Sequence, residues 1–211
     1  NDTATATTKG PLSAGRKYVD SIGNNNYGYT SGGYPSFTES LIDRVTYAND
    51  TNTATSLGNI FSIGDRATAT AGNLNYGYFG GGSGYYPRQS TISRIDYAND
   101  SAATAPKGPL TDPSSGAAGQ ATGNSNYGYF LLRSPSISTT MNRVDYVNDT
   151  ATATVKGNLV NTAVYRRGTG NTNFGYFIAG RVSTTSYTFI DRITYVNDTV
   201  TASPKGNITD P

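Results

Sequence analysis

An Asn-Asp-Thr/Ser tripeptide recurs five times in the 211 residues, starting at Asn1, Asn49, Asn99, Asn148 and Asn197, in steps of 48, 50, 49 and 49. Two further markers keep the same beat. Asn-Tyr/Phe-Gly-Tyr begins at Asn26, Asn75, Asn126 and Asn173, and Arg-aliphatic-Asp/Thr-Tyr begins at Arg44, Arg94, Arg143 and Arg192. Self-similarity at a period of about 50 residues marks a repeat architecture, in which each unit is one supersecondary element that buries its faces against its neighbours. The expected units are approximately 14–62, 63–112, 113–160 and 161–211, with 1–13 as the last strand of a preceding repeat. The chain is read as one repeat domain, a piece of a larger chain or one member of an oligomer.

Composition points the same way. Gly is frequent at 25 residues, Tyr is the main large residue at 17, and Thr, Ser and Asn fill much of the remainder. This suits short strands joined by many tight turns. The second unit shows the pattern. Segment 66–72 (RATATAG) alternates in size and ends in the turn Asn73-Leu74-Asn75; Tyr76 to Phe79 follows; Thr91 to Tyr97 alternates strictly; Ala98 to Ser101 is a turn; Ala102 to Pro106 is a short fourth strand. The expected fold class is all-β, with four-stranded antiparallel blades of about 49 residues and about four full blades, arranged as a propeller.

The inventory narrows the chemistry. There is no Cys, which removes disulfides and zinc–thiolate sites, and no His, which removes the commonest general base and metal ligand. Sixteen basic and fourteen acidic residues give a net charge of +2 without any like-charge run, so there is no nucleic-acid footprint. No apolar stretch reaches the ~18 residues of a helical membrane span. No motif calls for a cofactor.

The repeat resembles a kelch motif. The Gly pairs Gly32-Gly33 and Gly80-Gly81 follow an apolar strand, the strands ending at Tyr47, Tyr97, Tyr146 and Tyr195 stand where kelch has its Tyr strand, and Lys9 to Arg16 (KGPLSAGR) is similar to the kelch exit element. The kelch Trp is missing from every copy, and the Gly pair is replaced by Leu131-Leu132 in the third unit and reduced to Ala179-Gly180 in the fourth. The tandem units also look like kelch-like repeats of marine phages, cyanophage-type included, where they are thought to form tail-fibre or virion surface components. That resemblance implies a virion surface or extracellular location, and other virion subunits or a host-surface glycan as partners.

Several residues are candidates for a role. The segments between the second and third strands differ in every copy while the strands do not, and loops on a rigid scaffold are where binding diversifies. They carry Tyr34, Phe37, Tyr85, Tyr86, Arg88, Arg133, Arg181 and Tyr187, the expected ligand-binding set. Packing of these loops on neighbouring blades is the competing reading. Arg44, Arg94, Arg143 and Arg192 obey the repeat and are expected to be structural, spanning adjacent blades or pairing with a strand carboxylate such as Asp96 or Asp145. Asn49, Asn99, Asn148 and Asn197 head N-glycosylation acceptor triplets, but these residues fill turns for backbone reasons as well. Asp50, Asp100, Asp149 and Asp198 offer oxygen ligands, without an Asp-rich loop of recognised calcium spacing.

Three classes of function compete. The first is a non-enzymatic virion structural or surface protein, a tail fibre or capsid-associated component, that uses variable Tyr/Arg loops to bind a host glycan or another subunit. The second is a kelch-type interaction scaffold or a bacterial adhesin. The third is an enzyme: propellers host copper oxidases, which need His and Cys, and sialidases, which need an acid, whereas Glu39 is the only Glu here. The expectation is no enzyme.

Overall fold

The computed structural model describes residues 5–33, 41–60, 68–82, 90–101, 104–111, 116–133 and 138–209. Among these residues sixteen strands form four antiparallel sheets, each meandering in chain order. The first sheet holds β1 (Asp20–Gly23), β2 (Tyr27–Ser31), β3 (Leu41–Thr46) and β4 (Thr55–Asn59). The second holds β5 (Ala69–Gly72), β6 (Tyr76–Gly80), β7 (Ile92–Asp96) and β8 (Ala105–Lys107). The third holds β9 (Gly116–Gly123), β10 (Tyr127–Arg133), β11 (Thr140–Asp145) and β12 (Thr154–Asn158), and the fourth β13 (Arg167–Gly170), β14 (Phe174–Val182), β15 (Thr185–Thr194) and β16 (Ser203–Asn207). The first strands lie innermost, β1 against β5, β5 against β9 and β9 against β13, so the sheets are the blades of a four-blade propeller arrangement. The all-β expectation of four-stranded blades holds.

Two strand boundaries differ from the expectation. In the second unit the fourth strand is Ala105–Lys107, not Ala102–Pro106. Its three residues pair with Ile92, Ser93 and Arg94, and the register leaves Thr104 outside the ladder. Residues 5–12 join no strand; they run along the first blade, where Gly10 N–H donates to the Asp50 carbonyl at 2.8 Å.

Local sequence explains each blade. The hairpin between the first two strands turns on an Asn whose side-chain oxygen accepts two backbone N–H bonds. Asn24 takes Asn26 and Tyr27, and Asn73, Asn124 and Asn171 do the same in their blades, all at 2.9–3.0 Å. After the third strand the chain reverses at the Asn-Asp marker. Asp96 and Asp145, two of the carboxylates that stood as candidate Arg partners, instead accept the N–H of Ala98 and Val147 and so close their own turns.

The core is divided among the junctions between blades. One cluster holds Tyr29, Ile42, Phe79, Ile95 and Tyr97, from blades one and two. A second holds Ala71, Tyr78, Ile92, Phe130 and Tyr146, from blades two and three, and a third holds Tyr129, Met141, Phe177, Ile193 and Tyr195, from blades three and four. The two inner sheets are thus apolar on both faces, as a blade between two neighbours must be.

Candidate ligand-binding site and the blade junctions

The second Tyr of each Asn-Tyr/Phe-Gly-Tyr marker lies directly opposite the marker Arg: Tyr29 faces Arg44, Tyr78 faces Arg94, Tyr129 faces Arg143 and Tyr176 faces Arg192. Cross-strand partners share a sheet face, so phenol and guanidinium point together at the following blade. There they meet its Asn-Asp turn. Asp100 accepts from the Tyr29 hydroxyl at 2.7 Å and from Arg44 at 2.8 Å. Asp149 accepts from Tyr78 at 2.9 Å and Arg94 at 2.8 Å, and Asp198 from Tyr129 and Arg143, each at 2.8 Å. Lys107 and Lys156 take the other carboxylate oxygen of Asp149 and Asp198, at 3.1 and 3.2 Å. The first junction has Leu57 at the equivalent place, and there Arg44 contacts both oxygens of Asp100.

Rings complete the junction. Tyr29 stacks on Tyr97, Tyr78 on Tyr146 and Tyr129 on Tyr195, with centroids 4.6–5.0 Å apart. Arg44, Arg94 and Arg143 lie over Tyr27, Tyr76 and Tyr127 at 4.2–4.9 Å. Burial and the nearby aspartate hold the hydroxyls of Tyr29, Tyr78 and Tyr129 well above the ordinary phenol range. Arg44, Arg94 and Arg143 therefore span blades. The aspartates Asp100, Asp149 and Asp198, candidate calcium ligands by sequence, are each held by an Arg and a Tyr, and Asp149 and Asp198 by a Lys as well. Among the described residues no group of three or more acidic side chains is placed to hold a metal.

The residue before each marker Arg has its own task. Asp43, Asn142 and Asp191 accept the backbone N–H of Ser13, Thr111 and Asn161 and so anchor the segment that enters the blade. In the outer two blades a guanidinium joins them: Arg16 with Asp43 at 3.0 Å and Arg166 with Asp191 at 2.8 Å, all four side chains fully buried.

Asn49, Asn99, Asn148 and Asn197 are exposed on the turns whose aspartates are drawn inward. Of the expected ligand-binding set, Tyr34, Phe37, Tyr85, Tyr86 and Arg88 lie outside the described residues. Arg133 ends β10, and its side chain is also outside them. Arg181 and Tyr187 are brought together. Both line a cleft of about 610 Å³ with Tyr18, Tyr165, Ala179 and Ile208 among its walls.

The cleft joins the first and last blades. Tyr18 and Tyr165 hold equivalent places, each just after an isolated bridge residue and two positions before the first strand of its blade. Both have left-handed backbone, φ 62° and 58°, and both stay exposed, at 59% and 46%. A bulky residue adopts that region at a cost that the surroundings must offset, and such positions concentrate at binding sites. The Arg181 guanidinium lies 5.1 Å from the Tyr165 ring, and main-chain bonds between Val164 and Arg181, at 2.9 and 3.0 Å, fix the pair. Tyr187 packs on Phe189 with centroids 5.3 Å apart. Among the described residues no carboxylate lines the cleft. Tyr18 and Tyr165 were missed by sequence because they fall outside the markers. Their being aromatic at non-marker positions just before a strand is the signal that was available.

Two residues beyond Tyr18, Asp20 opens β1 and feels the charge of Arg167, which opens β13. One Asp20 oxygen accepts the Ser21 N–H at 3.2 Å, and the other is shut from solvent without a partner. Burial outweighs Arg167 and raises the carboxyl to about 6. A raised carboxylate favours the fold below its unfolded value near 4 and loses that advantage as pH rises through 6. Asp20→Asn is therefore expected to stabilise the protein by about 2–3 kcal/mol at pH 7.5 and to change little at pH 4. Urea midpoints at the two pH values check this; equal effects at both would contradict it.

No protein-family model matches the chain, and no curated protein matches it. Among solved structures it is similar to one described as "Structure of YjhT", with a TM-score of 0.71 at 11% identity, covering 92% of this chain and 71% of that one. At that identity the likeness shows the fold, and the fold it shows is the β-propeller.

Proposed function

We propose that this chain is a non-enzymatic kelch-like propeller of a virion or extracellular surface, and that its cleft between the first and last blades binds a glycan. The cleft carries the reading: Tyr18, Tyr165 and Tyr187 expose aromatic faces around the Arg181 guanidinium. Aromatic faces suit the apolar faces of sugar rings, and Arg donates in a planar fork to hydroxyls or to the carboxylate of an acidic sugar. The virion setting rests on the resemblance of the repeats to those of marine phages.

Glycan-array screening of the full chain, followed by calorimetry with the best ligand, tests the reading. Tyr187→Ala and Arg181→Ala are each expected to weaken binding about tenfold or more, the usual effect of truncating an anchor residue. Binding that survives both substitutions, or no binding to any neutral or acidic glycan, removes the cleft as the site. Detection of the chain in purified virus particles by mass spectrometry tests the setting separately.

A further inference from the structure

The Asn-Asp-Thr/Ser marker holds three fixed positions, and the blade junctions use only the middle one. In the three filled junctions the Asp is drawn inward to the Tyr and Arg of the preceding blade. The Asn before it and the hydroxyl after it are exposed in every described copy, from Asn49 and Thr51 to Asn197 and Thr199. Among the described residues the carboxamides of Asn49, Asn148 and Asn197 make no hydrogen bond, and neither do the hydroxyls of Thr51, Thr150 and Thr199. In the remaining copy the contact lies inside the marker: Ser101 Oγ donates to Asn99 Oδ1 at 3.5 Å. The backbone does not demand Asn either, since none of the four has the left-handed φ for which turns favour it. Positions that folding leaves idle drift between copies. The residue before the Asn is Ala in two units and Val in two, and the residue after the triplet is Asn52, Ala102, Ala151 or Val200. The Asn and the hydroxyl do not drift.

The hairpin Asn residues give the contrast. Asn24, Asn73, Asn124 and Asn171 also recur in every unit, and each works for the fold by capping its hairpin. Each has an Asn, not a Ser or Thr, two residues on. The Asn that caps thus lacks the hydroxyl, and the Asn that is idle has it. Outside the marker the Asn-x-Ser/Thr triplet occurs once, at Asn207. The two most exposed large apolar side chains among the described residues stand beside the same idle carboxamides: Val147 and Val196, at 93% and 94%. The antiparallel meander places all these turns at one end of the blades, with the hairpins between first and second strands. The cleft, lined by residues that precede first strands or flank the turn between β14 and β15, opens at the other end.

We propose that the marker turns are sites of N-linked glycosylation, at Asn49, Asn99, Asn148 and Asn197. An attached glycan must project from the native fold, and an exposed, unbonded carboxamide on a surface turn permits that. The donor is an oligosaccharide on a polyprenyl diphosphate. The Asn carboxamide nitrogen forms a bond to C1 of the donor sugar, the bond from C1 to the diphosphate oxygen breaks with its electron pair, and the nitrogen gives up one proton, leaving polyprenyl diphosphate. Glycans so placed stand around one end of the blades, cover Val147 and Val196, and leave the cleft at the other end free. The setting required is a cell that holds this donor and its transferase, for a secreted protein and for a virion component alike. The proposal goes beyond the glycan-binding reading and does not rest on it, since it concerns sugar the protein carries and not sugar it recognises.

Glycopeptide mass spectrometry of the full chain, secreted from a eukaryotic cell, tests this. The intact mass is expected to exceed 22.2 kDa, with glycan at the marker turns and none at the hairpin Asn124. Thr150→Val is expected to abolish modification of Asn148 and to leave Asn197 modified. Asn148→Gln, made without glycan in a bacterial cytoplasm, is expected to keep the urea midpoint of the wild type made the same way, because the carboxamide bonds nothing. The protein taken from its own source is expected to carry sugar at the same turns. Bare Asn at all four turns in the secreted chain, bare Asn in the native protein, or modification of Asn148 that survives Thr150→Val would each overturn the proposal. So would a lowered midpoint in Asn148→Gln, which would mean that folding keeps the Asn.

Discussion

Arg166→Ala lowers the free energy of unfolding by about 3–5 kcal/mol, the penalty for stranding one member of a buried ion pair. Arg166 is wholly inaccessible, and its guanidinium donates to Asp191 at 2.8 Å, to the Asn161 carbonyl at 3.0 Å and to the Phe177 carbonyl. It also lies over the Phe189 ring at 4.9 Å. Burial lowers its pKa while Asp191 opposes the shift. Without Arg166, Asp191 keeps two donors from Asn161, at 2.9 and 3.1 Å, but no opposing charge. A fold of this size is stable by about 5–15 kcal/mol in all, so the single change removes a large share. Removing both charges behaves differently: Arg166→Met with Asp191→Leu is expected to return to within about 1–2 kcal/mol of wild type, since well-packed apolar residues replace buried pairs at little cost. Guanidinium denaturation of the wild type and the two variants decides the matter. A double variant as unstable as the single would mean that the hydrogen bonds, rather than the unpaired charge, dominate.

Asp149→Ala costs about 3 kcal/mol, whereas Asp50→Ala costs less than about 1 kcal/mol. The two residues occupy the same place in the repeat. The Asp149 side chain is 7% exposed and is shared by Tyr78, Arg94 and Lys107; that of Asp50 is 36% exposed and meets Lys9 alone. The difference isolates what the junction adds to the turn. It is measured by urea denaturation of the separate variants. Near-ultraviolet circular dichroism supplies a local readout: the stacked Tyr78–Tyr146 pair is expected to lose signal in Asp149→Ala and to keep it in Asp50→Ala. Equal losses of stability would contradict the assignment of Asp149 to the blade junction.

Most of the fold could be read in the sequence because the markers mark turns and strand register, which are local. Asn73 caps its hairpin two and three residues on, and Ile92 and Ile95, three residues apart, fall on opposite faces of a strand packed on both sides. The partners of the marker residues could not be read in the same way. Arg94 had Asp96 two residues away and yet pairs with Asp149, 55 residues further on, because the side chain leaves its own sheet. A periodic sequence shows that every blade carries an Arg and an Asp but not which blade's Asp an Arg meets. The cleft was half legible. Arg181 and Tyr187 came from variability between copies, a cue that works within an array, whereas Tyr18 and Tyr165 reach the cleft through a left-handed backbone that no marker encodes.

The Tyr–Arg–Asp junction also bears on how such a gene can change. Every filled junction draws its residues from two adjacent units at equivalent places, so any unit can follow any other. Unequal crossing-over between repeats that adds or drops one unit of about 49 residues creates no foreign interface; each new seam has the composition of an old one. Copy number then becomes a heritable variable separate from loop content, and a lineage can reshuffle its loops in single recombination steps while the seams stay unchanged.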